Sequence, residues 1–290
     1  MAGSLRRTAD SPPARRTLAG MRAIVTGGSA GVGRAVAEAL ARAGCKVLAT
    51  ARRHERLVEL SASAAAAPHE PIEHQAGDLC DPAFRRQLVA VALERLGGLD
   101  LVVAAAGSGA IGPFRDSDAA TLAGILAIDL VAPAELVRES LPHLAAGRDP
   151  AVVLVGSILG LHPLPLHGEY CAAKSGLRAL AGTLRAELAV EGIDVLLATL
   201  GPVESEFWTA LVRGERPAWS QGRGMPPEHA AAAILAGLRR RQGEIVPGWQ
   251  AKGYVFLARY FPGLIDRWAA RNWRGGDADA RRQDARGGAG

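Results

Sequence analysis

Two scarce residue types stand four positions apart in this chain, Tyr170 and Lys174. Lysine occurs only at 46, 174 and 252 and tyrosine only at 170, 254 and 260, against 31 arginines. A spacing of four places both groups on one helix face. There an ammonium can draw a phenol pKa down from its usual value of about 10. A tyrosine poised nearer neutrality is a general acid or base for a carbonyl/alcohol pair. Ser157 closes the apolar run 151–156. At the C-terminal edge of a strand it would face a crevice, its hydroxyl placed to hold a substrate oxygen as charge develops. Taken alone, such a serine is an ordinary turn residue.

A glycine-rich turn supplies the second candidate. Thr26-Gly27-Gly28-Ser29-Ala30-Gly31-Val32-Gly33 follows the first apolar run and opens a helical pattern. Glycines there let backbone approach a pyrophosphate, whose charge is favoured at a helix N-terminus. Three glycines alone are weak evidence in a chain with 35 of them, so the strand-to-helix context carries the reading. About 20 residues on, a dinucleotide site selective for NAD carries an acid that holds the ribose 2′-hydroxyl. This chain has Ala49-Thr50-Ala51-Arg52-Arg53 instead. Guanidinium forks suit a phosphate, so NADP is the expected cofactor. The plainer alternative is that Arg53 decorates the next helix with Arg56.

Elements that could position these groups alternate along the chain. Strands are expected at 22–26, 46–50, 72–76, 100–105, 151–156, 193–199 and 244–246. Helices are expected at 32–43, 53–65, 82–96, 118–146, 170–190 and 227–240, the fourth kinked or broken at Pro133. The alternation predicts an α/β fold, a doubly wound parallel Rossmann-type sheet of about seven strands with helices on both faces.

Composition narrows the function classes. The 290 residues are 49% hydrophobic and 22% charged, a globular balance. No uninterrupted apolar run has the length of a membrane span. Cys45, Cys80 and Cys171 offer neither a disulfide framework nor a metal cluster, which suits a cytoplasmic protein and no metal. The net charge of +5 suggests nucleic acid until it is divided. Residues 1–20 carry +3 and 274–290 carry +1, leaving about +1 on the body at 21–273. Both end segments read as disordered tails, so no nucleic-acid partner is expected of the body. Arg15-Arg16 is followed only by Ala23-Ile24-Val25 before the glycine turn, too short a stretch for a twin-arginine signal. Met21 is an alternative start.

With these motifs in order, the chain resembles the compact branch of the short-chain dehydrogenase/reductase family over about 21–247. The resemblance also takes in Asp78, Gly107 and the segment Gly201-Pro202-Val203-Glu204-Ser205-Glu206-Phe207. It implies Tyr170 as acid/base, Ser157 as partner of the substrate oxygen, and Lys174 on the nicotinamide ribose. Asp78 and Leu79 would meet the adenine, Ala105 and Gly107 would line the cofactor, and Val203 with Ser205 would meet the carboxamide. A homodimer or homotetramer is the expected assembly. Three departures stand out. Ala104-Ala105-Ala106-Gly107 replaces the family's Asn-Asn-Ala-Gly, Leu200 replaces a proline, and Asp129 stands where the family has a catalytic asparagine. A backbone carbonyl at 129 could still serve the family's water-linked proton relay, whereas an aspartate side chain could instead pair with Lys174.

Ten of the 13 aromatic residues lie between Phe207 and Trp273, including all five tryptophans. Residues 201–226, with Phe207, Trp208, Trp219 and Met225, read as a lid over an apolar substrate. Residues 249–273 read as two short amphipathic helices broken at Pro262-Gly263. They are free to cover the pocket, pack on a partner or lie in a membrane interface, packing on protein being the most ordinary outcome. The leading reading is an NADP(H)-dependent oxidoreductase acting on an apolar ketone, aldehyde or alcohol. The alternative is a cofactor-binding regulator or pseudoenzyme, and nucleic-acid binding through the tails is a third.

Overall fold

The computed structural model describes residues 15–65, 70–216, 222 and 224–271. Seven parallel strands form one sheet in the order β3-β2-β1-β4-β5-β6-β7. They are β1 (Arg22–Thr26), β2 (Lys46–Ala51), β3 (Ile72–Ala76), β4 (Leu101–Ala104), β5 (Ala151–Ser157), β6 (Asp194–Leu200) and β7 (Glu244–Ile245). Helices α1 (Gly31–Arg42), α2 (His54–Ala65), α3 (Pro82–Leu96), α4 (Ala119–Leu126), α5 (Ala132–Ala145), α6 (Gly168–Glu187), α7 (Pro227–Arg239) and α8 (Trp249–Tyr260) surround it. Strand order reverses between β1 and β4, which opens a crevice at their C-terminal ends.

Alternation along each strand builds a separate core on each face. Ala23, Val25, Leu101 and Val103 pack with residues of α1 and α7, such as Val36 and Ile234. Ile24, Val102 and Ala104 pack with residues of α3, α5 and α6, such as Leu88, Leu136 and Leu177. Small side chains let the helices lie close. At Gly33 an added Cβ would stand 2.4 Å from the carbonyl oxygen of Gly27, so α1 can leave the glycine turn this tightly only without a side chain there.

Two expectations change. The helix expected over 118–146 is three pieces: α4, a π-helical turn at Ala127–Val131, and α5. Pro133 sits in the first turn of α5, where its missing N–H costs nothing, and the irregularity falls just before it. By length and hydropathy the run Ala119–Ala145 could cross a membrane. It buries Asp129, Ala132, Leu136 and Leu144, about a third of its most apolar stretch being buried.

Residues 15–20, assigned to a tail from composition, belong to the folded body. Arg16 is 3% exposed. Its guanidinium donates to the carbonyls of Asp149, Leu238 and Pro150 and meets Asp194 at 2.7 Å. Leu18 is buried beside it in sequence. One arginine counted as a solvated charge is therefore a structural strut. Residues 1–14 and 274–290 lie outside the described residues, as do Trp219 and Trp273.

Candidate active site

The crevice is a cleft of about 1010 Å³ running from the glycine turn to the C-terminal helices. Its walls include Gly27, Ser29, Gly31, Val32 and Gly33 from the turn, and Arg52, Arg53, Asp78 and Leu79 from the ends of β2 and β3. Ala105, Gly107, Asp129, Ser157, Tyr170, Lys174, Val203 and Ser205 complete the set expected from sequence. The fold thus brings every candidate residue to one place.

At the turn, Gly27 and Gly31 have φ of +75° and +55°, values that favour glycine. The N-cap Ala30 contributes no side-chain hydrogen bond and the first turn of α1 has no acid. That turn lines the cleft with neither a side-chain cap nor an acid of its own to neutralise its N–H groups, as an anion site requires. Thr26 Oγ1 accepts from the N–H groups of Ala105 and Ala106 at 3.0 and 2.9 Å. It ties the exit of β4 to β1 where the alanines supply no amide side chains.

The two arginines divide. Arg52 is exposed and makes no hydrogen bond or ion pair among the described residues. Arg53 donates to Ser29 Oγ at 3.1 Å and meets Glu206 at 2.6 Å. Glu206 also lies 3.6 Å from Arg56. Glu206 was not singled out from sequence, because its partners are about 150 positions away. Asp78 turns its carboxylate to accept from the Cys80 N–H at 2.9 Å.

Deeper in the cleft, Tyr170 and Lys174 share a face of α6, and the Lys174 Nζ lies 5.6 Å from the centre of the tyrosine ring. Ser157 ends β5, and its hydroxyl accepts from the Leu159 N–H at 3.1 Å. Asp129 is 1% exposed and Lys174 6%. Asp129 Oδ1 stands 2.8 Å from Nζ, and Oδ2 accepts from the Ser108 N–H at 3.0 Å. Nζ also donates to the Val155 carbonyl at 3.1 Å. Gly107 makes room for this pair, since a Cβ there would stand 2.5 Å from Asp129 Oδ1. Of the two roles open to Asp129, the side-chain pairing with lysine is present.

That pairing alters the expected acidity. Burial pushes the Tyr170 phenol up; Lys174 pulls it down, Asp129 pushes it up again, and Ser157 pulls it down. The net direction is upward, not the depression expected from a lysine alone, because burial outweighs the pull of the ammonium and the carboxylate cancels part of that pull. Burial pushes the Lys174 ammonium down, and Asp129 and Tyr170 more than offset this, leaving it raised.

A strap crosses the cleft. Val203 pairs with Met225, Trp208 donates its indole N–H to the Val203 carbonyl at 3.0 Å, and the Phe207 ring lies tilted with its centre 5.8 Å from that of Tyr170. Its far end is fixed where Ala110 pairs with Arg213, and Arg213 meets the fully buried Glu169 at 3.4 Å. Tyr254, Leu257, Leu264, Ile265 and Trp268 from the C-terminal helices close the apolar end. The break between those helices falls at Phe261, and the second runs over 262–271. Pro262 starts a helix there instead of ending one. Of the three outcomes left open for this segment, covering the pocket is realised.

Comparison with known proteins agrees with this geometry. Residues 21–216 match the short chain dehydrogenase family. A hydroxysteroid 11-beta-dehydrogenase 1-like protein from Xenopus tropicalis is 29% identical over 252 residues, 85% of each chain. The human mitochondrial dehydrogenase/reductase SDR family member 2 is 32% identical over 223 residues, 74% of this chain and 76% of its own. Among solved structures, a short-chain dehydrogenase from Streptomyces avermitilis is 28% identical, with a TM-score of 0.72 over 89% of this chain and 96% of its own. A short chain dehydrogenase/reductase from Burkholderia phymatum in complex with NAD shares the fold, with TM-score 0.78 and 24% identity over 86% of this chain and 96% of its own.

Proposed function

The chain belongs to the short-chain dehydrogenase family, and from that premise we propose an NADP(H)-dependent oxidoreductase that interconverts an apolar ketone or aldehyde with its alcohol. The observation that carries the reading is the convergence of Ser157, Tyr170 and Lys174 in the cleft below the glycine turn. The family uses a nicotinamide cofactor, which supplies or accepts hydride when bound. The uncapped start of α1 and the glycine cradle fit its pyrophosphate, Arg52 fits a 2′-phosphate, and Lys174 is within the same cleft for the ribose. Tyr170 delivers a proton to the carbonyl oxygen in reduction and takes one from the alcohol in oxidation. Ser157 holds that oxygen while its charge changes. Phe207, Trp208, Leu257, Ile265 and Trp268 enclose the reacting end in apolar surface. The names of the relatives related to hydroxysteroid dehydrogenases support a bulky apolar substrate. A cytoplasmic homodimer or homotetramer is part of the same reading.

Asp129 favours a second reading. A lysine committed to a buried carboxylate is drawn from the ribose, which would leave a cofactor-binding regulator with little turnover. One experiment separates them: NADPH consumption across a panel of ketones and aldehydes, with Tyr170→Phe as control and direct titration of NADPH and NADH alongside. Turnover that falls by about 10²–10⁴ in Tyr170→Phe, with NADPH binding retained, supports the enzyme. Binding without turnover on any substrate supports the regulator. Arg52→Ala must erode the preference for NADPH, or the phosphate assignment fails.

A further inference from the structure

The C-terminal helices that close the cleft also carry a concentrated apolar surface. Of the 12 large hydrophobic side chains exposed among the described residues, seven come from residues 249–271. They are Trp249, Phe256, Leu257, Tyr260, Phe261, Leu264 and Trp268, with Trp249 81% exposed. Phe256 lies 5.0 Å from Tyr260 and 6.3 Å from Phe261, ring centre to ring centre, so three of them form one outward cluster. Ala251, Ala258, Ile265 and Ala269 are the inward positions. Apart from Ile265 the fully buried positions are alanines, so most of the large side chains of these helices are left at the cleft mouth or in solvent. Exposed rings of this density mark an interaction surface.

Charge says what covers it. Lys252, Arg259, Arg267 and Arg271 are all exposed on the same segment, where Asp266 is the one acid. A two-fold contact between copies would set this cationic segment against itself. An anionic lipid surface suits both parts: rings enter the headgroup boundary while lysine and arginine stay at the phosphates. The surface is continuous with the cleft, because Leu257, Leu264 and Trp268 are exposed and line it as well. We propose that residues 249–271 dock the protein on an anionic bilayer, with the apolar end of the cleft opening at the lipid boundary. An apolar substrate dissolved in the bilayer would then reach the cleft without crossing water.

The test uses the full chain and vesicles of phosphatidylcholine with or without phosphatidylglycerol, read by co-sedimentation and needing no substrate. It therefore stands or falls independently of the proposed chemistry. The expected result is at least tenfold stronger association with the anionic vesicles, weakened by salt. The triple variant Trp249→Ser, Phe256→Ser, Phe261→Ser, none of which lines the cleft, should lose that association while keeping its cofactor titration. Lys252→Glu with Arg259→Glu should lose it too. The proposal is overturned if wild type stays in the supernatant, if the serine variant sediments like wild type, or if light scattering shows a dimer that the serine variant converts to monomer.

Discussion

Asp129→Asn separates the two readings of this site by arithmetic. The aspartate divides its two oxygens: Oδ1 forms an ion pair with Lys174 Nζ at 2.8 Å, and Oδ2 accepts from the Ser108 N–H at 3.0 Å. An asparagine has one acceptor oxygen and presents N–H groups from the other position. If that oxygen stays with Ser108, the lysine faces a donor and loses its charged partner. At a separation of 2.8 Å, opposite unit charges attract by about 6 kcal/mol at an effective dielectric of about 20. A hydrogen bond from an ammonium to a ribose hydroxyl nets about 1.5–3 kcal/mol. The wild-type lysine therefore gains more by staying with Asp129, and the variant lysine gains more by turning to the ribose. Cofactor affinity should rise roughly ten- to a hundredfold, the equivalent of about 1.5–3 kcal/mol. The pH profile should move with it. Asp129 pushes the Tyr170 phenol up, so its removal lowers that pKa. Alcohol oxidation, which needs the phenolate, should then reach its plateau at lower pH, and carbonyl reduction, which needs the phenol, should begin to decline at lower pH. Fluorescence titration of the cofactor and pH–rate profiles in both directions measure these effects. Affinity that falls or stays within twofold, with an unshifted profile, would refute the view that Asp129 restrains the lysine.

Two further perturbations test what composition hid. Arg16→Met strands the carbonyls of Asp149, Leu238 and Pro150, while Asp194 keeps Arg241 at 2.6 Å. A loss of about 3 kcal/mol is expected, which lowers the melting temperature by roughly 2–4 °C per kcal/mol; an unchanged melting curve would return residues 15–20 to the status of a tail. Glu206→Gln opens the link from the strap to Arg53 and Arg56 across the glycine turn. NADPH and NADH should both dissociate several-fold faster in stopped-flow displacement, with their ratio of affinities kept; tighter binding of NADPH alone would mean that Glu206 competes with the 2′-phosphate instead.

The contrast between Tyr170 and Asp129 shows which information a sequence holds openly. Tyr170 and Lys174 are four residues apart on one helix, so their proximity is local geometry, and the scarcity of both types made the pairing visible. The strands were equally legible, within a residue or two at each end, because buried parallel strands are short apolar runs between glycine turns. Asp129 could be named as a departure, but its pairing with lysine depends on where the π-helical turn aims the carboxylate. Arg16 and Glu206 were less legible still. Each meets partners more than 100 positions away, and an arginine sealed among carbonyls has the same letter as one in solvent. Net charge averages over that difference. Divided by segment, it turned attention from a polyanionic partner to the cleft. It could not show that cations and rings of residues 249–271 share one exposed surface, because that follows only from which side chains the packing of these helices leaves in solvent. The Tyr170–Lys174 pair is thus written in near neighbours, while the contacts that Asp129, Glu206 and the C-terminal helices bring to the cleft are written in distant ones.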